Sequence, residues 1–181
     1  MLTTGDATET GTIDAAAVMA EETAAQLGTY AKLPIVATRG AGIFIYDATG
    51  RTYYDFYCGH AVTLLGHCPP AVVGAIQSQA ARLIFYSNMV FNEVRADYAA
   101  ALTAAAPAGY GQVFFCNSGA EANETALKLA RKWAYRVKGV PRHQAEIITA
   151  AGNFHGRTIS IVTFSTEPLY RDDFGPFTPD L

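Results

Sequence analysis

The hydrophobic pattern of the chain changes at about residue 60. Before that point, apolar and aromatic residues at 43–47 and 51–57 flank a short turn, which is typical of a β-hairpin. A helix is predicted earlier, from a cap at Asp14 to about Leu27, because aspartate caps helices well and a glycine follows as a stop signal. Residues 1–60 are therefore predicted to form a small β-rich N-terminal segment with a hairpin.

Two helices are predicted after this segment. One can begin at Pro69-Pro70 and the other at Asn92-Glu93, since proline and asparagine favour the first positions of helices. Their apolar residues recur at helical spacing and are predicted to be buried. These residues are Val72, Val73, Ile76, Ala80 and Leu83 in the first helix, and Val94, Tyr98 and Leu102 in the second.

A strand–helix–strand unit is predicted in the second half of the chain. The apolar run 113–116 is typical of a buried parallel strand, residues 121–137 have helical spacing, and 146–150 form a second apolar run. Such a crossover is expected to be right-handed, and ligands bind at the carboxyl ends of strands in such sheets. We therefore expect the loops after Cys116 and Ala150 to lie near each other.

The first of these loops, Asn117-Ser118-Gly119, predicts an anion site. A helix N-terminus has N–H groups without acceptors and a partial positive charge, and a glycine lets a phosphate approach the backbone. The loop matches neither the P-loop pattern nor the dinucleotide fingerprint. The alternative is an ordinary helix start, in which Ser118 and Glu121 form a capping box.

The second loop, residues 151–158, contains an aromatic ring and a guanidinium close together. Phe154 could stack on a flat ligand, and Arg157 could bind a carboxylate with two hydrogen bonds. The alternative is a surface turn in which Phe154 packs into the core and Arg157 is solvated.

Composition and charge argue against several classes of function. The net charge is −3, and the basic residues of 128–138 fall on the polar side and last turns of a helix, where Glu124 can pair with Lys128, so no nucleic-acid partner is predicted. No stretch is apolar enough for a membrane span, and residues 1–12 lack the features of a signal peptide. An odd number of cysteines favours a reducing compartment, so we expect a cytoplasmic protein.

Three motifs resemble those of class III aminotransferases, which bind pyridoxal 5'-phosphate. They are Asn117-Ser-Gly-Ala-Glu-Ala-Asn-Glu124, Lys128-Leu-Ala-Arg131 and Phe154-His-Gly-Arg-Thr158. Further matches follow the order found in the acetylornithine and ornithine aminotransferases of that class. They are Tyr46-Asp47 with Gly50, Asp55-Phe56, Gly59-His-Ala-Val62, Leu65-Gly-His-Cys-Pro69 and Ser87-Asn88. The resemblance covers nearly the whole chain after about residue 30.

The resemblance implies a fold and a set of site residues. The fold would be α/β, the N-terminal part of a fold type I pyridoxal-phosphate transferase. Residues 1–60 would be part of its small domain. Residues 61–181 would form the first half of its large domain, with part of a mainly parallel sheet and its covering helices. The turn Ser118-Gly119-Ala120 would hold the cofactor phosphate through backbone N–H groups and the Ser118 hydroxyl. Phe154 would stack on the cofactor ring, and Arg157 would pair with a substrate carboxylate.

The resemblance also implies a reaction and partners. An amino group would pass from an ornithine-type or other omega-amino substrate to the cofactor and then to 2-oxoglutarate. The active form would be a homodimer. Ornithine and 4-aminobutyrate aminotransferases of the same class are alternatives to an acetylornithine enzyme, and the role of His60 in substrate choice stays open.

The chain does not contain the Schiff-base lysine of the resembled family. That lysine, and the aspartate that faces the cofactor ring nitrogen, follow the Phe-His-Gly-Arg motif at a distance in that family. Lys32, Lys128, Lys132 and Lys138 do not match its context, so no catalytic residue is predicted here. We interpret the chain as truncated after the loop 174–181, and we expect it to expose apolar surface and to be inactive alone.

Other classes of protein agree less well with the sequence. A non-catalytic partner subunit or remnant that keeps the cofactor site is one alternative. A zinc site at Cys58, His60, His67 and Cys68 is disfavoured by their spacing, so no metal is predicted. A serine hydrolase is disfavoured because Ser118 lies outside a Gly-x-Ser-x-Gly elbow.

Overall fold

The computed structural model of the chain describes residues 13–179. Residues 1–12, whose polar composition argues against a signal peptide, lie outside the described residues, as do 180 and 181. The chain divides into two compact units, Met1–Val90 and Phe91–Leu181.

The first unit contains a helix, a three-stranded antiparallel sheet, a short turn and a second long helix. These elements are α1 (Ala15–Ala25), β1 (Ala37–Ala41), β2 (Phe44–Asp47), β3 (Thr52–Tyr54), α2 (Cys58–Ala61) and α3 (Pro70–Ala80). The strand order is β1-β2-β3, so β2 is central. The predicted cap of α1 is confirmed, because Oδ1 of Asp14 accepts the N–H groups of Ala16 and Ala17 at 3.0 and 3.1 Å. The hairpin is confirmed as β2 and β3, whereas β1 is an additional strand.

The hairpin turn is organised by the carboxylate of Asp47. It accepts the N–H groups of Thr49 and Arg51 at 2.9 Å each, the Thr49 hydroxyl at 2.7 Å and the Tyr53 hydroxyl at 2.8 Å. The hydroxyl groups of Thr49 and Tyr53 are the main reason why the pKa of Asp47 falls to about 2. Gly50 completes the turn at φ +82°, a conformation that glycine adopts without steric cost.

The short element α2 is a left-handed turn rather than an ordinary helix. Its four residues all have positive φ, between +52° and +62°. The turn is closed by hydrogen bonds from Ala61 N–H to the Tyr57 carbonyl at 3.1 Å and from Val62 N–H to the Cys58 carbonyl at 2.8 Å. Because a left-handed conformation is unfavourable for residues with a Cβ, surrounding contacts must hold it in place.

The second unit contains two long helices and several short helical segments. They are α4 (Glu93–Ala105), α5 (Gly119–Trp133), a π-helical turn (Ala134–Lys138), α6 (Ile159–Val162) and α7 (Pro168–Arg171). The predicted helices near Asn92 and Glu121 are confirmed, and α5 begins two residues earlier than predicted. The π-helical turn ends at Gly139, which is left-handed at φ +75°.

The strands predicted at 113–116 and 146–150 are not formed. All the named strands of residues 13–179 belong to the sheet β1-β2-β3, and both predicted segments lack regular structure. A strand needs a hydrogen-bonded neighbour, and neither segment has one in this part of the chain. Phe114 and Ile148 are 63% and 97% exposed. The chain is still mixed α/β, but its sheet is small and antiparallel.

The predicted burial of the apolar faces of α3 and α4 is also wrong for the described residues. Val72 and Ile76 on α3 are 40% and 63% exposed, and Tyr98 on α4 is 57% exposed. Buried residues in this part of the chain gather at α6 and just after it: Ile161, Val162, Thr163, Phe164 and Ser165, together with Ala145. The expectation that the chain exposes apolar surface is confirmed.

Candidate functional site

The N-terminus of α5 is capped by the side chains of Ser118 and Glu121, which lie before and after its first residue, Gly119. Oγ of Ser118 accepts the N–H of Glu121 at 3.2 Å, and the Glu121 carboxylate accepts the N–H of Asn117. The capping interactions are therefore present. They do not use the N–H groups of Gly119 and Ala120, which have no acceptor within the helix because they belong to its first turn.

The space in front of this helix end is open. A Cβ built on Gly119 would meet no atom of the described chain within 4 Å. The Ser118 hydroxyl accepts a hydrogen bond from Glu121 but keeps its own hydrogen as a donor. Two backbone donors and one hydroxyl donor at a positive helix end form a suitable site for a phosphate. Capping and anion binding are thus compatible at this site.

The loop that follows Ala150 is fixed by Asn153. Its Nδ2 donates to the carbonyl oxygens of Ala150 and Phe164, the latter at 2.9 Å. Its Oδ1 lies 2.8 Å from Nδ1 of His155, and because an amide oxygen only accepts, this nitrogen carries the hydrogen. The His155 ring packs edge-on against Phe164 with centroids 5.1 Å apart. These contacts tie the loop to the buried segment after α6.

The same loop lies against the first two turns of α5. Nδ2 of Asn123 donates to the His155 carbonyl at 2.7 Å, and the Thr158 hydroxyl donates to Oε1 of Glu124 at 2.8 Å. Between these two hydrogen bonds, Gly156 contacts Ala120 so closely that a Cβ at 156 would lie 2.8 Å from that of Ala120. The prediction that the two loops lie near each other is confirmed.

Phe154 and Arg157 project from this loop. Tyr170, which belongs to α7, lies beside both side chains. The guanidinium carbon of Arg157 is 4.6 Å from the centroid of the Tyr170 ring and 5.8 Å from that of Phe154. Phe154 and Tyr170 meet edge-to-face at 5.7 Å. Because Phe154 is 61% exposed, the alternative in which it packs into the core is wrong. An aromatic face and a cation therefore lie on the loop that contacts the start of α5.

Three residues of this arrangement were not predicted: Asn123, Glu124 as a loop contact, and Tyr170. Glu124 was expected to pair with Lys128, but its carboxylate accepts from Thr158 instead. Residues 13–179 show an ion pair between Glu22 and Lys32 and a carboxylate–imidazole contact between Asp55 and His67. The helical spacing of Ala120, Asn123 and Glu124 places them on one face of α5, and this spacing is the signal that could have indicated the contact.

In the first unit, the Asp55 carboxylate and the His67 imidazole make a hydrogen bond. Oδ2 of Asp55 lies 2.7 Å from Nε2 of His67, and Oδ1 accepts the N–H groups of Tyr57 and Cys58 at 3.0 and 2.8 Å. The bond to His67 and then the bond from Cys58 lower the pKa of Asp55. Both side chains line a cavity of about 400 Å³. The contacts support the left-handed turn α2.

In the described ranges, no three His, Cys, Asp or Glu side chains gather in a way that could hold a metal ion, and this includes the region of Cys58 to Cys68. No helix in residues 13–179 is both long and apolar enough to cross a membrane.

Comparison with known proteins gives a consistent family assignment. The chain matches the family Aminotransferase class-III over residues 26–181. It is 45% identical over 150 residues to an ornithine aminotransferase of Bordetella pertussis, a match that covers 83% of this chain and 36% of that relative. The chain thus spans about a third of the length of the curated relatives that it matches.

Solved structures agree with this assignment. An ornithine aminotransferase of Toxoplasma gondii, described with pyridoxal phosphate at partial occupancy in its active site, aligns with a TM-score of 0.88 and 36% identity, over 94% of this chain and 39% of that one. An acetylornithine aminotransferase of Elizabethkingia anophelis aligns with a TM-score of 0.73 and 40% identity, over 85% and 37% of the two chains. The chain therefore belongs to the class III aminotransferases.

Proposed function

We propose that this chain supplies the phosphate-, ring- and carboxylate-binding groups of a pyridoxal-phosphate-dependent aminotransferase. Its amino donor would be ornithine or acetylornithine, and its acceptor 2-oxoglutarate. The observation that carries the proposal is the contact between the start of α5 and the loop 152–158, which joins an open anion site to an exposed aromatic ring and a guanidinium. Relatives with these two activities align with the chain.

The residues present fit the cofactor phosphate. The N–H groups of Gly119 and Ala120 would donate to its oxygens, and the Ser118 hydroxyl would add a third donor. The missing side chain at Gly119 leaves the approach free, since a Cβ there would touch nothing in the described chain. A dianionic group at this helix end is also favoured by the helix dipole.

The residues of the second loop fit a flat ring and a carboxylate. The edge-to-face contact with Tyr170 orients the ring of Phe154 while leaving the side chain largely exposed, so one face can take an aromatic heterocycle. Stacking of Arg157 on Tyr170 reduces the freedom of its long side chain before a carboxylate binds. The planar guanidinium can then donate two parallel hydrogen bonds.

In this proposal, the residues of this chain bind and orient the cofactor and the substrate. Pyridoxal phosphate, when bound, supplies a ring that stabilises negative charge on the carbon bearing the amino group. The chain's lysines have other surroundings: Nζ of Lys32 lies 2.7 Å from both Glu22 and Gln26, and the others lie on α5 and the π-helical turn. We therefore assign no proton transfer to these lysines. Two copies of the complete enzyme would associate as a homodimer.

A chimera tests the proposal. Residues 26–181 of this chain would replace the matching third of the Bordetella pertussis ornithine aminotransferase, with the unmodified relative as control. We expect the chimera to bind pyridoxal phosphate, to shift its visible absorption on addition of ornithine or acetylornithine, and to form glutamate from 2-oxoglutarate. A smaller exchange of residues 117–158 alone provides a second protein if the larger one aggregates.

Two outcomes of this experiment would count against the proposal. A folded chimera that binds the cofactor, yet gives no spectral shift or amino transfer with ornithine, acetylornithine or 4-aminobutyrate, would exclude this branch of the family. Activity with 4-aminobutyrate alone would overturn the choice of donor.

A further inference from the structure

Two neighbouring side chains of α5, Asn123 and Glu124, make polar contacts to both ends of the segment 155–158. The Asn123 amide donates to the His155 carbonyl at 2.7 Å, and the Glu124 carboxylate accepts from the Thr158 hydroxyl at 2.8 Å. Gly156 lies between these two points and packs on Ala120. The segment that contains Arg157 is therefore fixed to the helix at three positions.

Each contact satisfies a group that has no regular partner. The His155 carbonyl precedes Gly156, which stands at φ +125°, so the carbonyl belongs to an irregular loop and needs a donor outside it. Asn123 supplies that donor from a partly buried position. Thr158 precedes α6, and its carbonyl accepts the N–H of Val162 at 2.8 Å. Glu124 thus holds the N-cap residue of α6.

The contacts also connect the two functions assigned to the site. Ala120 donates one of the N–H groups proposed for the phosphate, and Asn123 and Glu124 follow one turn later on the same helix. Phe154 and Arg157, proposed for the ring and the carboxylate, alternate along the loop with the two residues that the helix holds. The spacing between the phosphate site and the ring site is therefore set by this helix-to-loop clasp, which consists of Asn123, Glu124, His155 and Thr158.

We propose that Asn123 and Glu124 are positioning residues of the aminotransferase site. They hold Phe154 and Arg157 at a fixed distance from the N–H groups at the start of α5 that would bind the phosphate. The inference rests on the proposed function. It predicts a separation of two affinities: loosening the clasp weakens binding of the whole cofactor, which needs both sites, but leaves binding of inorganic phosphate, which needs only the helix end.

Substitutions of nearly equal shape isolate the two hydrogen bonds. Asn123→Asp keeps the size of the side chain but replaces the N–H donor with an acceptor facing the His155 carbonyl. Glu124→Gln keeps an oxygen that can accept from Thr158 and is the conservative rescue variant, whereas Glu124→Ala removes the acceptor. Lys128→Ala, on the same helix and outside the clasp, is the matched control.

The first measurement uses the 181-residue chain without any ligand. We expect hydrogen–deuterium exchange of the two hydrogen-bonded amides that border this loop, Gly152 and Val162, to become about tenfold faster in Asn123→Asp and Glu124→Ala, because a lost hydrogen bond of about 1.4 kcal/mol corresponds to a factor of ten. Glu124→Gln and Lys128→Ala should resemble the parent chain. Unchanged exchange in both disruptive variants overturns the clasp.

The second measurement uses the chimera described above, freed of cofactor. The dissociation constant of pyridoxal phosphate should rise about tenfold in Asn123→Asp, while that of inorganic phosphate changes by less than about twofold. If both constants change together, or neither changes, the positioning role is overturned. Failure of the unmodified chimera to bind pyridoxal phosphate would instead count against the proposed function, and the exchange measurement would still judge the clasp.

Discussion

Asp55 and His67 form a short carboxylate–imidazole hydrogen bond, with 2.7 Å between Oδ2 and Nε2. The other carboxylate oxygen accepts the N–H groups of Tyr57 and Cys58, at the entrance to a left-handed turn. Three of the four residues of that turn carry a Cβ, and each costs about 1–2 kcal/mol in this conformation. Contacts such as those of Asp55 are needed to offset this cost.

The stability of this region should depend on pH through Asp55. Its pKa is lowered in the folded chain, chiefly by the bond to His67, so its contribution is present above the ordinary pKa of about 4 and is lost as the pH falls through the lowered value. Asp55→Asn removes this titration. In urea unfolding from pH about 6 down to about 2, the parent chain should lose more stability than the variant. Parallel pH profiles would contradict this assignment.

Gly119 should matter for the phosphate but not for the helix. A Cβ at this position has free space and alanine favours helices, so Gly119→Ala should leave the stability of the chain unchanged or raise it by up to about 1 kcal/mol. The same methyl group would stand in the path of the phosphate and should weaken binding of pyridoxal phosphate to the chimera. Circular dichroism and cofactor titration measure the two effects. Unchanged affinity would argue against phosphate binding at this helix end.

Gly156 should tolerate no side chain. In Gly156→Ala the new Cβ would lie 2.8 Å from the Cβ of Ala120, and φ +125° is unfavourable for alanine. We expect a loss of about 1–3 kcal/mol of unfolding free energy. The double variant Gly156→Ala with Ala120→Gly removes the 2.8 Å contact between the two Cβ atoms and keeps the backbone strain, so it should recover part of the loss. No recovery would mean that the contact with Ala120 is unimportant.

Local features of the fold were predictable from the sequence, and long-range ones were not. Asp14, Asn92 and Ser118 mark helix starts because a cap is decided by a few neighbouring residues. The strand predicted at 113–116 does not form because a strand depends on a partner elsewhere in the chain. The sequence pattern shows that this segment is apolar. It does not show whether a neighbouring strand is present to pair with it.

In the candidate site, too, contacts between residues far apart in the chain could not be predicted in detail. The two loops were predicted to meet because strand ends share a sheet edge. The contact is instead made by side chains of α5 with the His155 carbonyl and the Thr158 hydroxyl, and the predicted strands do not form. Glu124 was assigned to Lys128 by the helical i, i+4 rule. Its partner is Thr158, which lies 34 residues away and is not visible to a rule that considers one helix alone.

Arg157 should contribute to substrate binding as a planar cation. In the chimera, Arg157→Lys keeps the charge but loses the paired hydrogen bonds, so KM for the carboxylate substrate should rise about 10- to 100-fold, corresponding to roughly 1.5–3 kcal/mol. The dissociation constant of pyridoxal phosphate should change little. Steady-state kinetics together with cofactor titration separate the two quantities. A KM equal to that of the parent chimera would contradict the assignment.

The central claim is that the start of α5 and the loop 152–158 together bind pyridoxal phosphate. A crystal structure of the chimera with the cofactor bound tests it most directly. The predicted result places phosphate oxygens within about 2.7–3.2 Å of the N–H nitrogens of Gly119 and Ala120, with the cofactor ring against Phe154. A phosphate bound elsewhere, with water alone at the N–H groups of Gly119 and Ala120, would contradict it.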